Sequence, residues 1–133
     1  MTALPISPVD HQAIRQYMEG VLALATLQIE AVVLFGSRAR GDAGPESDLD
    51  LMIILSDDTL PQREQLHALV FDVLLESGVY LSAQILSAEL YRQLPARRPL
   101  FYANLIRDGI VLYARPDVSL PEFTRRAERL VVA

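Results

Sequence analysis

The chain has 133 residues, 51% of them hydrophobic and 22% charged, with no cysteine, no tryptophan and a net charge of −5. That length suits one domain, and the apolar fraction is too high for a disordered chain. The composition excludes a disulfide scaffold, a thiolate metal site and a cysteine nucleophile; because all 12 basic residues are arginine, it also excludes a catalytic lysine.

Ser7-Pro8 reads as an N-cap followed by proline at the first helical position. Val9, Ile14, Tyr17, Met18, Val21, Leu22 and Ala25 continue a roughly helical period, which predicts a helix over 8–25. Ala31 to Phe35 is a short β-rich apolar run stopped by Gly36, the pattern of a buried strand. Residues 41–47 are turn formers. A second apolar run, Leu49 to Leu55, ends at Ser56-Asp57-Asp58. Pro61 opens a helix that closes near Gly78. From Val79 to Leu86, Val79, Leu81, Ala83 and Ile85 alternate with Tyr80, Ser82, Gln84 and Leu86, a strand with one more polar face. A short capped helix starts at Ser87, Pro99 to Asp108 reads as helical, and Ile110 to Tyr113 is a last strand. From Pro121 the tail reads as an arginine-rich amphipathic helix with Phe123, Leu130 and Val131 on its apolar side. A small mixed sheet covered by helices is the natural packing of these elements.

The charge is uneven: residues 1–66 hold ten acids and four arginines, residues 67–133 seven acids and eight arginines. No apolar run reaches the roughly 18 residues of a membrane span, and Met1-Thr2-Ala3-Leu4-Pro5 has no basic start of a signal peptide. A cytoplasmic location without membrane contact is expected. Direct nucleic-acid binding is not expected of an acidic chain, because a phosphate backbone rewards positive charge.

The chemistry concentrates in Leu34-Phe35-Gly36-Ser37-Arg38-Ala39-Arg40-Gly41 and Ser47-Asp48-Leu49-Asp50-Leu51. A strand ending in glycine lets a ligand approach the backbone closely. A helical turn starting at once presents free amides, and the Ser37 hydroxyl adds a donor; together they suit an anion. Asp48 and Asp50, at i and i+2 of a strand, fall on one face. Two parallel carboxylates repel unless a cation lies between them, and their hard oxygens suit Mg²⁺ completed by substrate phosphates. A phosphate cradle facing a magnesium pair is a layout for phosphoryl or nucleotidyl transfer.

Gly36-Ser37, ten residues, then Asp48-Leu49-Asp50 resembles the signature of the nucleotidyltransferase superfamily related to DNA polymerase beta. The stretch over 32–55 most resembles its minimal branch, which includes MNT antitoxins paired with HEPN toxins and the cores of aminoglycoside nucleotidyltransferases. The resemblance implies an α+β fold, a small mixed β-sheet flanked by helices. It implies that Gly36 and Ser37 hold the triphosphate of ATP or another NTP, with Arg38 and Arg40 nearby as candidate nucleotide contacts. Asp48 and Asp50 would be the catalytic pair, holding two Mg²⁺ ions. A nucleoside monophosphate would pass to a hydroxyl on a small molecule or a partner protein, with a HEPN-type chain or a second copy as the expected partner. The domain would span 1–133, with a core over about 8–113 and the tail helix over about 120–131. With so little appended, the second half of the site is expected from another polypeptide.

The family adds a third carboxylate on a later strand, and 79–86 holds no acid. Tyr80, Ser82 or Gln84 stands on the face where it belongs, and none of these is charged at neutral pH. This departure leaves two readings open: an active enzyme, or a weakened or inactive subunit that binds nucleotide and partner. His11 and His67 lack partners at ligand spacing and read as surface residues. Arg97-Arg98 and Arg125-Arg126-Arg129 read as contacts for RNA or an acidic partner, or as solvated faces.

Overall fold

The computed structural model describes residues 3–24, 26–41 and 48–127. Helix α1 (Pro8–Ala23) starts where the Ser7 hydroxyl accepts the Asp10 amide at 3.1 Å, with Pro8 in the first turn. Its periodic face Ala13, Ile14, Tyr17, Met18 and Val21 is buried, whereas Val9 and Leu22 stay exposed. Ala25 lies outside the described residues. Strand β1 (Ile29–Phe35) leads into the single turn α2 (Ser37–Arg40), and β2 (Leu49–Leu55) follows. Then come α3 (Leu60–Ser77), β3 (Leu81–Ser87), α4 (Ala88–Arg97), α5 (Pro99–Asp108), β4 (Ile110–Ala114) and β5 (Arg125–Arg126). Among the described residues no helix is long and apolar enough to cross a membrane.

The strands form one sheet in the order β3-β2-β1-β4-β5. β1 is central and antiparallel to both β2 and β4, while β3 runs parallel to β2 and β5 parallel to β4. Both faces are covered, which is why β1 and β2 read as nearly unbroken apolar runs. On one face Val32, Leu34, Leu51 and Ile53 pack with the inner sides of α1 and α3. The Tyr17 hydroxyl, buried there, donates to the Leu66 carbonyl at 3.1 Å and joins the two helices. On the other face Ala31, Val33, Met52 and Ile54 meet Leu94 of α4, Leu105 of α5, and Leu120 and Phe123 of the tail. The α+β architecture expected from the sequence is the one observed.

The expected tail helix over 120–131 is corrected within its described part. Residues 121–122 form a turn, and Arg125–Arg126 is a strand. Leu120 and Phe123 both pack into the core with Leu105 of α5, which anchors the described part of the tail. Beyond them, β4 offers an open edge whose backbone groups need partners. The tail supplies them, pairing Arg125 with Ile110 and donating the Ala127 amide to the Val111 carbonyl at 2.9 Å. Residues 128–131 of the expected helix lie outside the described residues. The helix at Ser87 is longer than its short cap motif suggests, reaching Arg97 with Pro95 inside its last turns.

Candidate active site

The two motif halves meet through strand register. Antiparallel pairing sets Phe35 opposite Asp50, so the carboxylate arrives beside the turn that ends β1. Gly36 adopts φ +76° and ψ −162°, a region open essentially to glycine alone. A Cβ there would lie 2.6 Å from Asp50 Oδ2. The glycine is thus required twice, by its dihedrals and by the carboxylate packed on its backbone.

The first two intrahelical bonds of α2 run from the Ala39 and Arg40 amides to the Gly36 carbonyl, at 3.1 and 3.3 Å. Gly41, at φ +79°, ends the helix. The turn carries cations held by other elements. The Arg38 guanidinium donates to the Asp10 carboxylate of α1, with both side chains largely buried. Arg40 Nη1 lies 3.5 Å from Asp108 Oδ2 of α5. Asp108 is itself buried, and donation from Arg107, reinforced by Arg40, holds its carboxyl below the usual carboxylate range.

Asp48 stands exposed just before β2, and Asp50 is half-buried within it. Burial raises the Asp50 pKa, the Asp48 charge raises it further, and a hydrogen bond donated by Ser82 opposes both. That bond follows from the parallel register, which pairs Asp50 with Ser82. Among the three candidates on β3's polar side, Ser82 is therefore the one beside the carboxylate. Gln84 pairs with Met52 further along, and Tyr80 precedes the strand and is exposed.

The donor chemistry fits a magnesium ion. Burial first and the Asp48 charge second disfavour the ionised Asp50 carboxylate, and a cation between the two carboxylates would favour it. No cluster of three or more His, Cys, Asp or Glu residues disposed to hold a metal occurs among the described residues.

Beyond Asp50 a cleft of about 620 Å³ opens over β2, lined by Phe35, Met52, Leu86, Arg98 and Phe101 among others. Phe35 and Phe101 meet edge to face at 5.9 Å, and the Arg98 guanidinium sits 4.7 Å above the Phe101 ring. The Arg97-Arg98 doublet was visible in the sequence. Its place at the mouth of this cleft was not, because it depends on α4 and α5 folding back across the sheet. His11 lies in α1 and His67 in α3, and Asp58, past the far end of β2, is paired with Arg63 at 2.7 Å.

The chain is similar to known proteins over most of its length. The family model described as polymerase beta, nucleotidyltransferase matches residues 21–117. A Methanocaldococcus jannaschii protein provisionally named protein adenylyltransferase MJ0604 is 31% identical over 104 residues, covering 78% of this chain and 98% of that one. A second protein from that organism, provisionally named protein adenylyltransferase MJ0141, is 28% identical over 76 residues, covering 52% of this chain and 77% of that one. Among solved structures, a toxin–antitoxin with AMP-PNP shares the fold at a TM-score of 0.50 and 14% identity, over 80% of this chain and 75% of that one.

Proposed function

We propose, because the chain belongs to the polymerase beta nucleotidyltransferase family, that it transfers AMP from magnesium-bound ATP to a hydroxyl of a partner protein. The carrying observation is the Asp50 carboxylate lodged against the positive-φ Gly36, with Asp48 beside it. In this reading the Gly36-Ser37 turn binds the triphosphate, and Asp48 and Asp50 hold magnesium. Bound there, the metal neutralises phosphate charge and polarises the phosphorus under attack. The acceptor oxygen bonds to the α-phosphorus, the bond from that phosphorus to pyrophosphate breaks, and the hydroxyl proton passes to water. Ser82 orients Asp50 by donating to it. Arg38 and Arg40 add positive charge at the turn while Asp10 and Asp108 anchor them. The names of the curated relatives support AMP and a protein acceptor; the motif's resemblance to the MNT branch favours a HEPN-type partner.

The test is incubation of the purified protein with each of four α-labelled NTPs, magnesium and the proteins encoded beside it. Label from ATP on a protein, absent when EDTA is included in the incubation, is the expected result. Magnesium-dependent ATP binding by calorimetry with no transfer from any NTP would overturn it. That outcome would establish the second reading, a non-catalytic binding subunit, which the uncharged Ser82 beside Asp50 favours. One variant separates the two further. Ser82→Asp restores a third carboxylate where register aligns it with Asp50, and is expected to raise transfer about 10-fold or more. If transfer by this variant stays at the wild-type level or falls, Ser82 does not stand in for the missing carboxylate.

A further inference from the structure

We infer that Arg125, on β5, is a positioning residue that fixes the Gly36–Arg40 turn from outside, an inference that rests on reading that turn as the nucleotide site. Arg125 Nη1 donates to the Ala39 carbonyl at 2.8 Å and to the Asp108 carbonyl at 2.9 Å. One guanidinium therefore joins the end of α2 to the junction of α5 and β4. The Ala39 carbonyl falls at the end of its helix. The Gly41 amide goes to the carbonyls of Ser37 and Arg38, at 3.1 and 3.3 Å, and not to that of Ala39. Ala39 is fully buried, so the Arg125 guanidinium satisfies a carbonyl shielded from water.

A helix of four residues cannot hold its own geometry in water, because nucleation fixes several dihedrals for one bond. Its place must come from its neighbours. Among the described residues, ties come from α1 through Asp10 to Arg38, from α5 through Asp108 to Arg40, and from β5 through Arg125 to the Ala39 backbone. The β5 tie differs in kind, since it grips main chain and fixes the turn whatever side chain stands at 39. It also spans the end of β1, because Asp108 precedes the strand that pairs with Leu34. Of Arg125-Arg126-Arg129, read as a contact for RNA or an acidic partner or as a solvated face, Arg129 lies outside the described residues and the other two are split in role. Arg126, the neighbour of Arg125, donates to the Leu120 carbonyl at 2.8 Å and does not reach the turn.

Arg126 is therefore the matched control: same strand, same residue type, same kind of bond, different destination. Two readouts are taken on the full chain, amide hydrogen exchange of residues 39–41 and calorimetric binding of magnesium AMP-PNP. For Arg125→Ala, exchange at Ala39, Arg40 and Gly41 is expected to quicken about 10-fold, the scale of losing one charge-assisted hydrogen bond, with nucleotide affinity falling by about the same factor. Arg125→Lys, which keeps a charged donor on a long stem, restores part of both. Arg126→Ala leaves both at wild-type values even if it melts earlier. Equal exchange at 39–41 in the Arg125→Ala and Arg126→Ala proteins would overturn the inference. Faster exchange in Arg125→Ala, with no nucleotide binding even by the wild type, would instead keep the tie and overturn the nucleotide reading of the turn.

Discussion

Asp50→Asn is expected to lower nucleotidyl transfer by at least about 10³-fold and yet to raise the melting temperature of the free protein at neutral pH. The loss follows from removing a proposed magnesium ligand, because a bound metal supplies several kcal/mol of charge stabilisation in the transition state, and about 1.4 kcal/mol is tenfold in rate. The gain follows from the direction of the Asp50 pKa. Burial and Asp48 raise it in the folded chain, so folding favours the protonated form. The contribution of Asp50 to stability is then fully present below the unfolded pKa of about 4 and is lost as pH rises through the higher folded value. Asparagine escapes that loss and can still accept from Ser82. Melting curves without metal at pH 7 and below pH 4 check this: the variant should melt higher at pH 7 and the advantage should vanish in acid. The wild-type activity should also fade on acidification earlier than an ordinary aspartate would dictate, since the proton competes with the cation. A variant that transfers AMP normally would remove Asp50 from the machinery.

Gly36→Ala is expected to cost about 10²-fold or more in transfer, together with about 1–3 kcal/mol of stability from placing a side chain in a region kept for glycine. The new methyl would need the space of Asp50 Oδ2, 2.6 Å away, so the carboxylate must leave its position. Gly78→Ala separates the two effects. Gly78 also has a positive φ, +75°, but nothing lies within 4 Å of the Cβ it would gain. That variant should lose stability on a similar scale and keep its activity. If Gly36→Ala lost no more activity than Gly78→Ala, the contact between glycine and carboxylate would carry no function.

The parts of the fold most legible in the sequence are those bounded by local chemistry. Leu49–Leu55 is an apolar run between polar stops, and its strand has those ends. Pro99 and Gly109 bracket α5 as an opening proline and a closing glycine do. The motif residues were legible too, because Gly36 and Asp50 lie on either side of a single strand pairing. What stayed hidden depends on contacts between distant segments. The partners of Arg38 and Arg40 come from α1 and α5, and no spacing in the sequence links residue 40 to residue 108. The tail read as a helix because Phe123, Leu130 and Val131 fit a helical period. The need that made it a strand belongs to the edge of β4, a segment already past. The same limit applied to the missing carboxylate: alternation offered three residues, and only the parallel register with β2 picks out Ser82.

The antiparallel pairing of Phe35 with Asp50 also orders the molecule in time. Strands β1 and β2 are neighbours in the chain, so their pairing closes a short loop and carries a small entropic cost. The glycine–carboxylate contact can therefore assemble while later segments are still being synthesised. Of the braces on the same turn, Asp10 is already synthesised by then, but those from Asp108 and Arg125 are translated long after. A nascent chain would thus acquire the glycine–carboxylate contact with one brace in place and two still to come.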